Sequence, residues 1–242
     1  MRKRKISPSE LLEAAIARAE AMNPRFNFMA QKHYDYARAE IARGLPDGPF
    51  TGVPWLLKDL AAYIEGELSE GGSRLNRGNR SIFTTELVER YRRAGLVVFG
   101  KTTTPEFGLT GTTESTLMGA TRNPWNPAHT PGGSSSGSAA AVAAHMVPLA
   151  FGTQTAASIV RPAAFCGIVG YKPSYGHFPT AGMKANTEWL DTIGAYARSV
   201  EDIALFRAAL ARDVSQQRFQ LCLLAEQNVA GFIGQSIEID CS

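Results

Sequence analysis

Serines and glycines crowd into one short stretch of the chain, PGGSSSGSAAAVAA at residues 131–144. A serine hydroxyl becomes a useful nucleophile only when a neighbouring base takes its proton. Residues 115–187 contain neither Asp nor Glu. The stretch therefore predicts serine chemistry whose base is not a carboxylate of the same segment.

Two well-known glycine motifs differ from this stretch. It lacks the GK[ST] ending of a phosphate loop and the strand-then-GxGxxG setting of a dinucleotide fold. Residues 133–137 do match G-x-S-x-G, but a nucleophile elbow needs an acid and then a histidine after its serine. The last histidine is His177, and no acid lies between Ser135 and it. A triad in the reverse chain order, with His33 or His129, stays open.

A lysine is the other candidate for the base. Lys58 follows the apolar run GVPWLL at residues 52–57, which predicts a buried strand. Burial disfavours the ammonium form, so it lowers the pKa of a lysine in this position towards neutrality. The alternative is a lysine whose stem packs on apolar surface while its charged end reaches water.

A serine nucleophile also needs donors for the oxyanion that its attack creates. The turn of small residues at 155–158 offers backbone N–H groups without bulky side chains in the way. The same composition fits an ordinary turn packed against a neighbour, and the residues alone leave both interpretations open.

The elements that must carry these residues alternate between helix and strand, which predicts a sheet covered by helices. Ser7-Pro8-Ser9-Glu10 is a capping box with proline at the first helical position, so the first helix begins there. Further helices are predicted at 34–43, 85–94 and 139–144 and from Ser199; strands are predicted at 52–57, 96–100, 147–151 and 168–171. Residues 152–158 are predicted to form a loop.

Composition limits the class of protein. The 242 residues carry 25 Lys and Arg against 22 Asp and Glu, a net charge of +3. The cluster Arg2 to Lys5 stands alone, which argues against a nucleic-acid partner. The apolar stretch at 139–151 is too short for a membrane span. Three cysteines without metal-ligand spacing predict a reducing, cytoplasmic setting with no metal and no cofactor.

Five segments together resemble the amidase signature family. They are PGGSSSGSAAAVAAHMVPLAFGTQTAASIVRPAAFCGIVGYKPSYG, GVPWLLKDL, GLVVFGKTTTPEF, TRNPWNP and LDTIG. The resemblance implies an α/β fold, a mixed β-sheet core covered by helices on both faces. Family members are usually much longer, so we expect residues 1–212 to form the N-terminal part of that domain without its C-terminal half. Residues 213–242 are expected to be a tail without family resemblance.

The same resemblance implies a catalytic triad of serine, cis-serine and lysine. By motif, Ser158 is the nucleophile, Ser134 the bridging serine after a cis bond from Gly133, and Lys58 the base. Lys58 then takes a proton from Ser134, and Ser134 takes one from Ser158. The Ser158 oxygen attacks an amide carbonyl and gives an acyl-enzyme that water cleaves.

The resemblance also implies supporting groups. The oxyanion donors are the backbone N–H groups of Thr155, Ala156, Ala157 and Ser158. Ser135 is expected to hydrogen-bond Lys58. Where many members have Gly-Gly before the nucleophile and an Asp two positions earlier, this chain has two alanines and Gln154. A contact between Gln154 and Arg161 would suit this variant.

Three functions follow from these residues. The first is an amide hydrolase acting on small linear or cyclic carboxamides. The second is a truncated, catalytically inactive family member that associates with itself as a homo-oligomer or with a complementing chain. The third is an amidotransferase A-type subunit that releases ammonia from glutamine. A small-molecule amide is the expected partner, with neither a nucleic acid nor a membrane.

Overall fold

A six-stranded mixed sheet forms the centre of the fold. The computed structural model describes residues 6–183, 190–210, 220–222 and 236–238. The strands are β1 (Met29–Lys32), β2 (Pro54–Lys58), β3 (Val97–Thr102), β4 (Glu114–Ser115), β5 (Gly119–Ala120), β6 (Leu149–Gln154), β7 (Val169–Tyr171), β8 (Thr192–Ala197), β9 (Gln220–Cys222) and β10 (Ser236–Glu238). The order in the central sheet is β1-β3-β2-β6-β8-β7. Strand β2 runs parallel to β3 and β6, whereas the other pairs are antiparallel.

Helices cover both faces of this sheet. They are α1 (Pro8–Phe26), α2 (Tyr34–Arg43), α3 (Glu86–Arg93), α4 (Ser136–Ala143), α5 (Val160–Cys166) and α6 (Val200–Leu210). Buried side chains of α1, α2, α4 and α5 pack on one face. Those of α3 and α6 pack on the other. The predicted fold class, a mixed sheet between two helical layers, is confirmed.

The two-residue period of the strands divides the core between these layers. In β2, Leu56 packs on the face of the sheet that α4 covers, while Trp55 and Leu57 pack on the face that α3 and α6 cover. In β6, Ala150 and Phe151 divide in the same way. Strand residues buried on both faces read as continuous apolar runs, which is why the sequence indicated strands here.

Most predicted elements are present, with shifted bounds. The capping box is formed: the Glu10 N–H donates to Ser7 Oγ, and the Ser7 N–H donates to the Glu10 carboxylate. Helix α4 begins at Ser136, three residues before the predicted start. Strand β6 continues through 152–154, which were predicted as loop, because these residues pair with β8. Strands β1 and β8 had no sequence prediction.

The predicted tail at 213–242 lies outside the described residues, apart from an antiparallel pair of β9 and β10. The boundary at 212 stays a prediction. Among the described residues, every helix is too short or too polar to cross a bilayer. Cys166 is buried, and burial raises the pKa of its thiol to about 12, which suits a packed side chain better than a nucleophile.

Candidate active site

Lys58 is the last residue of β2 and is fully buried. Its Nζ lies 2.7 Å from Ser134 Oγ and 2.9 Å from Thr153 Oγ1. Burial lowers the pKa of Lys58 to about 7, against a smaller raising effect from the Asp191 carboxylate. A lysine that is half neutral near pH 7 is able to accept a proton, as a general base must.

Ser134 stands in the loop that leads into α4. Its peptide bond with Gly133 is cis, as the family resemblance implies. The Ser134 carbonyl accepts a hydrogen bond of 3.0 Å from Thr104 Oγ1, and its side chain is almost completely buried. Gly133 has little room, since a Cβ there would lie 2.8 Å from the backbone of Gly111. The loop is thus fixed where Ser134 meets the lysine.

Ser158 ends the turn that follows β6. Its carbonyl accepts hydrogen bonds from the Ser135 N–H at 3.3 Å and the Tyr196 hydroxyl at 3.0 Å. Its side chain is half-buried and lines the same cavity as Ser134. Three predicted triad residues from three separate segments are therefore gathered at one place.

The turn before Ser158 begins at Thr155, and both of these residues line the cavity. Neither Ala156 nor Ala157 adopts a positive φ, so the two alanines fit this backbone without left-handed strain. Within the described chain, the N–H groups of residues 156–158 make no backbone hydrogen bond. Free N–H groups beside a serine hydroxyl are what an oxyanion site requires.

Two supporting contacts differ from their predictions. Ser135 does not reach Lys58 among the described contacts; its hydroxyl donates to the Thr153 carbonyl at 3.2 Å and accepts from the Thr153 N–H at 3.3 Å. The lysine instead bonds Thr153 Oγ1, which sequence reasoning missed. The reason is that β6 extends to Gln154, so Thr153 is a strand residue whose backbone and side chain both face the loop of serines.

The predicted contact between Gln154 and Arg161 is also replaced. Gln154 Oε1 accepts from the N–H groups of Ile159 and Val160 at 2.9 and 3.0 Å, and so caps the start of α5. Arg161 Nη1 donates to the Gly133 carbonyl at 3.4 Å. Each of the two side chains thus binds backbone groups rather than the other side chain.

The cavity at these residues has a volume of about 240 Å³. Its lining includes hydroxyl groups of Ser134, Thr153, Thr155 and Ser158, the carboxylate of Asp191, and apolar groups of Leu60, Met183 and Ile193. Thr155 Oγ1 donates a hydrogen bond to Asp191. The cavity thus brings hydroxyl groups, a carboxylate and apolar groups together in a space suited to a small molecule.

Comparison with known proteins identifies the family of this chain. The model of the Amidase family matches residues 10–234. The chain belongs to the amidase signature family. It is 44% identical over 209 residues to the 6-aminohexanoate-cyclic-dimer hydrolase of Paenarthrobacter ureafaciens, over 84% of this chain and 42% of that protein. It is 40% identical over 218 residues to the A-type subunit of the glutamyl-tRNA(Gln) amidotransferase of Methylococcus capsulatus, over 87% and 44%.

Solved structures of amidase signature enzymes share the fold. A substrate complex of 6-aminohexanoate cyclic dimer hydrolase superposes with a TM-score of 0.84 at 38% identity, over 93% of this chain and 47% of that one. The peptide amidase from Stenotrophomonas maltophilia superposes with a TM-score of 0.79 at 36% identity, over 87% and 46%. This amidase signature chain therefore spans less than half the length of these relatives.

Proposed function

We propose that this chain carries the catalytic centre of an amide hydrolase, with Ser158 as nucleophile, Ser134 as proton relay and Lys58 as base. One observation carries the proposal: a fully buried lysine with a pKa lowered to about 7 lies 2.7 Å from Ser134, which shares a cavity with Ser158. A lysine paired with a carboxylate would be held as ammonium, but here its partners at 2.7 and 2.9 Å are hydroxyl groups.

The reaction follows from these positions. Neutral Lys58 takes the proton of Ser134 as Ser134 takes that of Ser158, and the Ser158 oxygen bonds to the amide carbon. The N–H groups of the 155–158 turn stabilise the oxyanion. As the carbon–nitrogen bond breaks, the proton returns through Ser134 to the leaving amine. Water, deprotonated along the same path, then cleaves the ester and frees the acid and Ser158.

The proposed substrates are small linear or cyclic carboxamides. A cavity of about 240 Å³ accommodates a small amide with short substituents on its carbonyl group rather than a folded protein substrate. Its apolar wall at Leu60, Met183 and Ile193 suits an aliphatic acyl group, and its hydroxyl groups suit an amide. The relative named for a cyclic 6-aminohexanoate dimer supports an aliphatic cyclic amide as the first substrate to try.

A second candidate is release of ammonia from glutamine for transfer in a complex. The observation that favours it is the identity of 40% over 218 residues to the A-type subunit of a glutamyl-tRNA(Gln) amidotransferase. Both functions use the same nucleophile, so they differ in the amide that reacts. Ammonia release from glutamine without hydrolysis of aliphatic amides would favour this second function.

The test is covalent labelling of the folded chain with a serine-reactive fluorophosphonate, followed by intact mass. We expect one adduct that disappears in Ser158→Ala and persists in the control Ser174→Ala, because Ser174 is exposed and is not among the residues that line the cavity. Lys58→Ala should nearly abolish labelling. Persistent labelling of Ser158→Ala would overturn the mechanism, and a folded wild-type chain without any adduct would overturn the proposal for this chain.

A further inference from the structure

Residues at the start of β8 are hydrogen-bonded to the start of the turn at 155–158, which ends in Ser158. Thr155 Oγ1 donates to the Asp191 carboxylate, and Thr192 Oγ1 donates to the Gln154 carbonyl at 3.0 Å. Two adjacent residues at the start of one strand thus bind the two adjacent residues where β6 gives way to the turn. The Asp191 contact is charge-assisted, the stronger class of hydrogen bond.

The geometry points to Asp191 as a positioning residue of this site. It holds Thr155 at the beginning of the turn that ends in Ser158, and it sets a negative charge at the cavity wall shared with Ser134 and Thr153. This inference rests on the proposed function, because the turn and Lys58 are the groups on which Asp191 acts. It adds a residue outside the triad that governs both the geometry and the protonation of the site.

The geometric role follows from exposure. Thr155 is exposed, so burial does not fix its side chain, whereas Gln154 before it is buried and bound at both its carbonyl and its amide oxygen. At the other end of the turn, the Ser158 carbonyl is bound by Tyr196. The bond to Asp191 restrains the part of the turn between these two fixed points.

The electrostatic role depends on what else faces Lys58. Its nearest polar neighbours, Ser134 and Thr153, are neutral. Asp59 and Lys101 are both buried and form their own ion pair at 3.6 Å, so their charges largely cancel at a distance. Among the described residues, Asp191 is the charged group that opposes the effect of burial on Lys58.

Phenol groups complete the surroundings of the site. Tyr175 lines the cavity, and Tyr196 lies fully buried behind the turn with its pKa raised well above the ordinary value by burial. Because its pKa is raised, Tyr196 stays neutral over the pH range in which the lysine titrates. A change of charge at Asp191 therefore changes the pKa of Lys58 directly, since Asp191 is the charged group among the described residues that raises it.

Three variants separate the two roles. Asp191→Asn keeps the size and an oxygen acceptor for Thr155 but removes the charge. Thr155→Val removes the hydroxyl and keeps the charge. Thr116→Val is the matched control, since Thr116 is exposed and is not among the residues that line the cavity. The measurement is the rate constant of fluorophosphonate labelling as a function of pH.

The expected results differ in kind. In Asp191→Asn the acid limb of the profile moves to lower pH, because Lys58 loses the charge that favours its protonated form, while the plateau changes by less than about threefold. In Thr155→Val the acid limb stays and the plateau falls about tenfold, the size expected for one hydrogen bond that holds reacting groups. Thr116→Val changes neither.

An unmoved acid limb in Asp191→Asn overturns the electrostatic role, and an unchanged plateau in Thr155→Val overturns the geometric one. A wild-type chain that is not labelled at Ser158 fails the proposed function instead. In that case the free energy of unfolding still reports on Asp191. Because a lowered lysine pKa makes stability rise with pH, Asp191→Asn must begin this rise at lower pH, and coincident profiles overturn the inference.

Discussion

Lys58 Nζ and Ser134 Oγ lie 2.7 Å apart, with the lysine fully buried and the serine almost so. No carboxylate takes part in this contact, since the second partner of the lysine is Thr153. The proton of a serine can therefore pass to a neutral amine inside the protein. In the proposed mechanism, the protonation state of this one amine decides whether the site is able to react.

The rate of acylation should consequently depend on the protonation of Lys58. Its pKa is lowered to about 7, so the base is protonated and inactive below that pH and neutral above it. We expect the labelling rate to rise with pH through about 7 and then to level off. Labelling reactions that are run at a series of pH values, quenched at fixed times and quantified by intact mass check this. A rate that is flat from acid to alkaline pH would contradict lysine as the base.

Thr153 should matter through its hydroxyl group. Its Oγ1 accepts from Lys58 Nζ at 2.9 Å and so helps to aim the amine at Ser134. We expect Thr153→Val to lower kcat or the labelling rate by about tenfold, because a misaligned base is a poorer one. Thr153→Ser keeps the hydroxyl and serves as the control. Equal losses in both variants would assign the effect to packing of the methyl group instead.

Sequence reasoning went furthest where local pattern and structure agree. The apolar run before Lys58 indicated a buried strand, and the buried strand is what lowers its pKa. The short edge strand β1 and the strand β8 escaped prediction. These strands form only when segments distant in the chain pair with them, as Gln154 pairs with Thr192.

The supporting contacts were less predictable than the reacting residues. Reacting groups are identified by motif, but the partner of a side chain depends on which backbone donors or carbonyls lie within reach after folding. Gln154 meets the N–H groups of α5 rather than Arg161, and Ser135 meets the backbone of Thr153 rather than Lys58. Asp191 stood within the LDTIG segment, yet its contact with Thr155 joins residues 36 positions apart.

Stability should reveal the same lysine without any chemistry. The folded pKa is about 7 against an ordinary value of 10.5, so the unfolded chain binds the proton more readily between these limits. The free energy of unfolding therefore rises with pH from about 7 to 10.5, and below 7 the full penalty persists. Lys58→Met should remove this rise and stabilise the chain by a few kcal/mol at neutral pH.

Urea unfolding at several pH values measures the effect. The matched comparison is Lys172→Met, because Lys172 is exposed and its replacement should leave the pH dependence of stability unchanged. If Lys58→Met were no more stable than the wild-type chain at neutral pH, burial of the lysine amine would not destabilise the folded chain. Activity lost with stability gained is the expected combination for a group kept for chemistry.

Gln154 should contribute to stability through the start of α5. Its Oε1 accepts two backbone N–H groups that otherwise lack a partner at a helix N-terminus. We expect Gln154→Leu to cost about 1–2 kcal/mol in the free energy of unfolding. Gln154→Glu keeps the acceptor and should cost less. Equal stability of the leucine variant and the wild-type chain would mean that the cap contributes nothing.

Gly137 should be required for a close approach of α4 to the sheet. A Cβ there would lie 2.5 Å from the Phe28 carbonyl oxygen and from the Thr103 nitrogen, both backbone atoms. The Gly137 N–H also donates to the Thr103 carbonyl at 3.1 Å, so α4 is bound at the place where it is most crowded. Moving the helix would displace Ser134, three residues earlier in the chain.

We therefore expect Gly137→Ala to destabilise the chain by about 2–4 kcal/mol and to slow labelling of the molecules that remain folded. Gly176→Ala provides the comparison: Gly176 has a φ of +79° but open space around its Cβ, so only backbone strain of about 1 kcal/mol applies. Urea unfolding and labelling measured together separate the two effects. If the folded fraction of Gly137→Ala reacted at the wild-type rate, the close approach would serve packing alone, and the position of Ser134 would be set by its bond from Thr104 rather than by α4.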